Sequence, residues 1–399
     1  MTAWLAVIGV GEDGPDALSG AARGLIESAE LVIGGERHLA LVKKTSGERL
    51  AWRSPLWDTL PELMRWRGRR VVVLASGDPL CHGVGALLAR NFAPEEMVVL
   101  PSLSAFSLAA ARLLWPLEAC VCLSLHGRPL ETLTLHLAPG ARILALSRDG
   151  ETPGKVARLL RDHGWGPTTL TVLEHLGGAR ERRIDAIAGN WREARGADLN
   201  LVALDCQPGP TARIFARRAA LPDDAFRHDG QLTKRAMRAA TLAALAPLPG
   251  ELLWDIGAGC GSVAIEWLRA ERAMTAIAIE RDAARAALIA ENAAALGVPE
   301  IEIQRAAAPE ALDGLPPPDA VFIGGAVSEG AIWDRAWRAL KPGGRLVANA
   351  VTVASEAELY RRHGAHGGEL TRIAVAQAEG NRFWRPAMTV TQLALAKPR

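Results

Sequence analysis

Short runs of β-branched and aliphatic residues alternate along the chain with longer Ala- and Leu-rich stretches of helical period, a pattern that predicts parallel α/β sheets. In the first half, strands are predicted at 4–8, 31–33, 71–75, 97–100, 120–125, 142–147, 170–173 and 199–205, and helices at 17–28, 84–91, 105–114 and 155–163. At Gln207-Pro208-Gly209-Pro210 two prolines and a glycine bar helix and central strand alike, which places a domain boundary there. Beyond it the pattern resumes, with strands at 252–256, 276–279, 302–305, 320–323 and 345–350 and helices at 233–245, 263–270, 283–296 and 330–340. Two more strands, near Ile373 and at 389–395, predict an antiparallel hairpin that finishes the last sheet. The predicted organisation is a domain over 1–206, a linker over 207–226 carrying Arg213, Arg217 and Arg218, and a domain over 227–399.

The most informative stretch is Leu252-Leu253-Trp254-Asp255-Ile256-Gly257-Ala258-Gly259-Cys260-Gly261. A strand, a glycine turn and a helix let main-chain N–H groups approach a small ligand closely, because glycine lacks the Cβ that would block it. A dinucleotide fingerprint would need glycine at 262, and the residue is Ser262. Glu280 closes the next apolar run at the spacing that puts an acid on two ribose hydroxyls, and Asp255 before the turn suits an ammonium group. Together they point to S-adenosylmethionine. In the first half Gly9-Val10-Gly11-Glu12-Asp13-Gly14 matches G-x-G-x-x-G, but the partner strand reaches Gly34-Gly35 before any acid at Glu36. The turns Ser76-Gly77-Asp78-Pro79 and Pro101-Ser102-Leu103-Ser104-Ala105 stand at strand ends and are expected to face one cleft; ordinary turn and cap chemistry is the alternative.

The bulk numbers change little. Lys+Arg 46 against Asp+Glu 44 gives a net charge of +2, which selects no nucleic acid. Five cysteines, an odd number without C-x-x-C or a His/Cys array, read as reduced, buried thiols rather than a metal site. The first residues lack a basic region before a short apolar stretch, and no apolar run reaches about 18 residues, so a cytoplasmic protein without membrane partners is expected.

The motifs Val7-Ile8-Gly9-Val10-Gly11, Ser76-Gly77-Asp78-Pro79, Pro101-Ser102-Leu103-Ser104-Ala105 and Leu125-His126-Gly127-Arg128 resemble the tetrapyrrole methylases of cobalamin and sirohaem synthesis, over about residues 1–206. The second half resembles the decarboxylating precorrin methyltransferases. That resemblance rests on Thr233-Lys234, the 255–261 turn, Ala308-Pro309-Glu310-Ala311, 319–325 and Asn349-Ala350-Val351-Thr352. The implied fold is α/β: a two-lobed tetrapyrrole-methylase fold, lobes about 1–115 and 116–206, followed by a Rossmann-like class I methyltransferase domain. The implied reaction uses two S-adenosylmethionine to methylate carbons 5 and 15 of precorrin-6B and decarboxylates the ring C acetate to give precorrin-8. Carbon 15 and the decarboxylation fall to the C-terminal domain, carbon 5 to the N-terminal one. The implied partner is an anionic tetrapyrrole, and related domains self-associate, so a homo-oligomer is expected.

Carried over by the resemblance, cofactor contacts are Thr233, Asp255, Gly257, Ala258, Gly259, Cys260, Gly261, Glu280 and Ala308, with Gly77, Asp78, Ser102 and Ser104 in the first domain. Asn349, Thr352 and Arg128 are the implied substrate contacts. An acid usual before the Ala-Pro-Glu-Ala segment is replaced by Ala307, which leaves the adenine to backbone or packing. His228, Asp229 and Lys234 are candidate acids for decarboxylation, with caps or surface groups as the alternative. Arg227, Arg235 and Arg238 are candidate carboxylate forks, with solvated helix charge as theirs. Two other readings stay open. One is a methyltransferase of RNA or protein, against which Ile323-Gly324-Gly325 lacks the stacking aromatics of base methylases; the other makes one half a non-catalytic binding module.

Overall fold

The apolar runs become the strands of two five-stranded sheets and one seven-stranded sheet in the computed structural model. The structure describes residues 3–42, 45–192, 194–217, 220–271 and 273–399; Arg218 of the arginine-rich connector lies outside them. Two units result, one of Met1–Arg128 with Ala138–Arg213 and one of Pro129–Leu137 with Ile214–Arg399. The second unit's core takes in Leu221 and Phe226, and the segment at 129–137 meets it where Gly297 approaches the Leu135 backbone.

The first lobe of the first unit is a wholly parallel sheet in the order Glu48–Ala51, Leu31–Gly34, Val71–Ser76, Leu5–Val10, Met97–Leu100. Leu5–Val10 is buried along its whole length, as expected of a central parallel strand covered on both faces. The second lobe corrects the expectation of parallel sheets throughout. Its order is Cys120–Ser124, Arg142–Leu146, Asn200–Asp205, Thr169–Glu174, Arg182–Ile187, and only the first pair is parallel. The connection from Glu174 to Arg182 is too short for a crossover, which takes a dozen residues or more, so these strands form a hairpin. Glu48–Ala51 and Arg182–Ile187 were not predicted, because both carry mostly exposed polar residues.

In the second unit the order is Glu302–Gln304, Thr275–Ile279, Leu252–Ile256, Ala320–Ile323, Arg345–Ala350, Val390–Ala396, Glu369–Ile373. The first five strands are parallel, and Val390–Ala396 runs antiparallel to both of its neighbours, as the resemblance to a class I methyltransferase implies. Side chains of the central strand alternate between two cores, Leu253 on one face and Trp254 and Ile256 on the other. The closing pair is the predicted hairpin with a small ribbon, Ala376–Glu379 and Phe383–Pro386, inserted into it. A helix at Val353–His366 escaped prediction, since only Leu359 and Arg362 are buried on it. Cys206 and Cys260 are buried, whereas Cys81, Cys120 and Cys122 are half-buried, which corrects the expectation of buried thiols throughout. No helix among the described residues is long and apolar enough to cross a membrane.

Candidate active sites

In the second unit the strand order reverses beside Leu252–Ile256, where open α/β sheets leave a crevice at the carboxyl ends of their strands. The turn there has Gly257, Gly259 and Gly261 all in the left-handed region, with φ of 72°, 59° and 80°. A Cβ on Gly261 would stand 2.9 Å from the Ile289 side chain, so the helix Ser262–Ala270 can start only over a glycine. Two carboxylates bracket the turn. Glu280 accepts the N–H of Gly259 through one oxygen and that of Asp282 through the other, both at 2.9 Å. Asp255, 1% exposed, accepts the Ala264 N–H at 3.0 Å through Oδ2, and its Oδ1 has no partner. Burial pushes the Asp255 carboxyl up to about 7, and the charge of Glu280 adds to the rise.

The other predicted residues of this unit are less evenly placed. The loop before the helix Arg235–Leu245 approaches the turn, with the Gln231 carbonyl 3.7 Å from the position of a Gly259 Cβ, and Thr233, two residues on, accepts from Arg238 through its carbonyl. The Gly324-Gly325 loop abuts it on another side, with the Gly325 nitrogen 3.3 Å from a Gly257 Cβ position. Ala308 is half-buried and Ala307 exposed. Asn349 is tied into a network with Thr241 and Gln392 by bonds of 2.9 Å to each, and the Thr352 hydroxyl caps the helix Val353–His366. Both predicted substrate contacts therefore have structural partners. His228 accepts the Gly230 N–H. Asp229 accepts the Gln231 N–H and pairs with Arg285, and these two bonds hold its carboxyl below the usual range. Lys234 is exposed, 3.9 Å from Asp223.

Arg238 is the clear correction. It is fully buried, bonded to Glu266, Asp223 and the carbonyls of Leu221 and Thr233, with its guanidinium 4.8 Å from the Phe226 ring centroid. An arginine so enclosed holds the domain together and grips no substrate carboxylate. Arg227 and Arg235 are exposed and bonded to Glu291 and to the Ala220 carbonyl.

In the first unit three strand ends meet. The Ser102 N–H donates to the Gly77 carbonyl at 3.1 Å, the Ser102 hydroxyl to the Gly9 carbonyl at 2.8 Å, and the Gly77 N–H to the Val10 carbonyl at 3.1 Å. Gly77 has φ +53°, and a Cβ there would stand 2.8 Å from the Leu103 carbonyl. These turns open on two adjoining cavities, of about 530 and about 660 Å³, and Asp78 and Ser104 line both. Ser104 caps the helix Ala105–Leu113 and Asp78 accepts the Leu80 N–H. The Gly9–Gly14 stretch leads only into a short 3-10 turn, and the helix itself begins at Gly20 under a Ser19 cap, which is not the geometry of a dinucleotide fold.

Arg128 lines the cavity of about 530 Å³, and its charge, after burial, lowers the pKa of His82 there. A polar cluster on the same wall escaped the sequence reading. Glu12 is bonded to Arg37 and, at 3.1 Å, to His175; burial pushes its carboxyl up, and those bonds outweigh it to leave the net shift downward. Arg37 and Ser76 both reach His38 Nε2, at 2.9 Å each, while its Nδ1 is buried without a partner. Burial, then the charge of Arg37, lowers the His38 pKa to about 4.

Residues 5–189 match the family of tetrapyrrole (corrin/porphyrin) methylases, and residues 224–397 the precorrin methyltransferase domain. A Sinorhizobium precorrin-6Y C(5,15)-methyltransferase [decarboxylating] is 49% identical over 398 residues, which is 99% of this chain and 96% of that one. Two shorter Salmonella typhimurium proteins match in part. A cobalt-precorrin-7 C(5)-methyltransferase is 32% identical over 45% of this chain and 88% of its own length. A cobalt-precorrin-6B C(15)-methyltransferase (decarboxylating) is 39% identical over 29% of this chain and 60% of its own. With two different methylase units in this order and near-complete coverage of a relative that joins them in the same way, the chain belongs to the decarboxylating precorrin-6Y C5,15-methyltransferases, enzymes of cobalamin biosynthesis.

Proposed function

We propose that the chain carries two S-adenosylmethionine sites and divides the reaction between them. The first unit methylates carbon 5, and the second methylates carbon 15 and removes the ring C carboxyl, converting precorrin-6B to precorrin-8. The observation that carries this reading is the 255–261 turn, whose three left-handed glycines keep side chains away from a strand end bracketed by Glu280 and by Asp255, with its unpartnered buried oxygen. Glu280 would hold the ribose hydroxyls and Asp255 would answer the ammonium. In the first unit the Gly77-Asp78 and Ser102–Ser104 turns, meeting at two cavities, would hold the second donor. The two Salmonella relatives, which are named for one of these activities each, support the division.

When bound, the sulfonium supplies an electrophilic methyl group to an electron-rich ring carbon. The chain's part is to align donor and acceptor, and alignment alone can be worth about 7–11 kcal/mol. Arg128, at the first cavity, would meet a substrate carboxylate. Decarboxylation leaves an electron pair that the conjugated ring takes up after protonation. Among the candidate acids Asp229 is the poorest, because its bonds to Gln231 and Arg285 favour the ionised form. The test is to incubate the purified chain with methyl-labelled S-adenosylmethionine and precorrin-6B and read the product by mass spectrometry. Two methyls gained and one carboxyl lost are expected; one methyl, or none, refutes the division.

A further inference from the structure

Asp255 and Glu280 put two carboxylates around one glycine turn, and neither forms an ion pair among the described residues. Glu280 is satisfied by two main-chain N–H groups. Asp255 is not: one oxygen caps the helix Ser262–Ala270 through Ala264, and the other is buried with nothing to accept from or donate to. A buried carboxylate oxygen without a partner is costly as an anion. Building on the donor site described above, we propose that Asp255 is a proton-linked receptor for the cationic end of the methyl donor: it holds a proton while no cation is beside it, and releases that proton to solvent when the donor's ammonium group binds.

The surroundings favour both halves of the exchange. From the strand Thr275–Ile279 comes the Glu280 carboxylate, whose repulsion favours the protonated form. The turn contributes the Cys260 thiol, which burial pushes up and the charge of Asp255 pushes further. From the helix Ser262–Ala270 comes Glu266, already paired with Arg238 of the helix Arg235–Leu245. The next strand end, Ile323-Gly324-Gly325, brings no titratable group. From the loop before the helix Arg235–Leu245 come Asp229, paired with Arg285, and Lys234, which is 3.9 Å from Asp223. None of these cations forms an ion pair with Asp255 among the described residues, which leaves that countercharge to the ligand. With the Asp255 carboxyl pushed up to about 7, binding should release about 0.9 of a proton at pH 6 and about half at pH 7. Affinity at this turn should rise about fivefold between those two values, below the range in which a free α-amino group titrates.

The experiment is calorimetry on the full chain at pH 6 in two buffers of different ionisation enthalpy. The probes are S-adenosylhomocysteine, which carries the ammonium, and 5′-methylthioadenosine, which has the nucleoside without it. Proton release with the first and none with the second is expected, and it should vanish in Asp255→Asn. Should Asp255→Asn fail to fold, the contrast between the two probes on the unaltered chain decides alone. Two equivalents of S-adenosylhomocysteine bound without proton release would overturn the linkage and leave the donor site standing. No binding at this turn, seen as a single equivalent unaffected by Asp255→Asn, would overturn the donor site itself.

Discussion

Gly9 lies so close to Gly77 that a Cβ on residue 9 would stand 1.8 Å from the Gly77 carbonyl oxygen and 2.6 Å from the Ser102 nitrogen. The three turns of the first unit's cleft therefore close on one another through a position where no side chain fits. Gly9→Ala must push the Gly77 and Ser102 turns apart, and a displacement of about 1 Å at a reacting geometry can cost about a hundredfold in rate. If the first unit methylates carbon 5, the variant should give a product that has lost its carboxyl and gained one methyl, which mass spectrometry reads directly. Two methyls added at the unaltered rate would remove this cleft from the reaction.

Glu280 stands at the second turn as both a scaffold and a proposed ligand contact. Its oxygens already accept from Gly259 and Asp282, and a carboxylate oxygen has a further lone pair for a ribose hydroxyl. Replacing it by Gln turns one acceptor into a donor that faces an N–H. Hydrogen bonds to a charged group are worth about 1.5–3 kcal/mol, so Glu280→Gln should weaken S-adenosylhomocysteine binding by roughly ten- to a hundredfold at this turn. Titration calorimetry that finds both equivalents bound as tightly as before would rule out the ribose role.

Arg238 and Glu266 form a fully desolvated pair, with burial the main influence on the Glu266 carboxyl and Arg238 opposing it. Arg238→Met removes the cation bonded to buried Glu266 and leaves it only the more weakly acting Arg269, which should cost about 3–5 kcal/mol in urea unfolding of the full chain. Adding Glu266→Leu removes the stranded charge, and the double variant should recover much of that loss. A double variant no more stable than Arg238→Met would show that the carbonyl bonds to Leu221 and Thr233, rather than the charge pair, are what matter.

What could be read from the chain and what could not divide along sequence distance. The Asp255–Gly261 turn is a local pattern: alternating glycines after an apolar run need left-handed backbone, and the structure has them in it. The Glu12 cluster draws on Arg37 and on His175, 163 positions away, so no spacing rule could assemble it. Arg238 does not face solvent as an arginine at the start of a helix usually does, because Leu221 and Glu266, 17 and 28 positions away with no motif linking them to it, enclose its guanidinium. Asn349 and Thr352 sit on the predicted strand end, but their partners Thr241, Gln392 and Ser355 give them structural work that the motif alone did not reveal.

His38 supplies a pH test of the first unit. Burial, then Arg37, lowers its pKa from 6.5 to about 4, so the folded chain keeps the ring neutral where the unfolded chain would protonate it. Between those values the unfolded state binds more protons, and stability therefore rises with pH: the contribution is fully present above about 6.5 and is lost as the pH falls toward about 4. The neutral ring fits its neighbours, since Nε2 can accept from the Arg37 guanidinium only while it carries no proton. His38→Gln cannot titrate, and its melting temperature should fall less steeply than that of the unaltered chain between pH 6.5 and 4. Two melting curves with the same pH slope across that window, or a His38 ring that titrates near 6.5 by NMR, would show that the cleft wall does not exclude the proton.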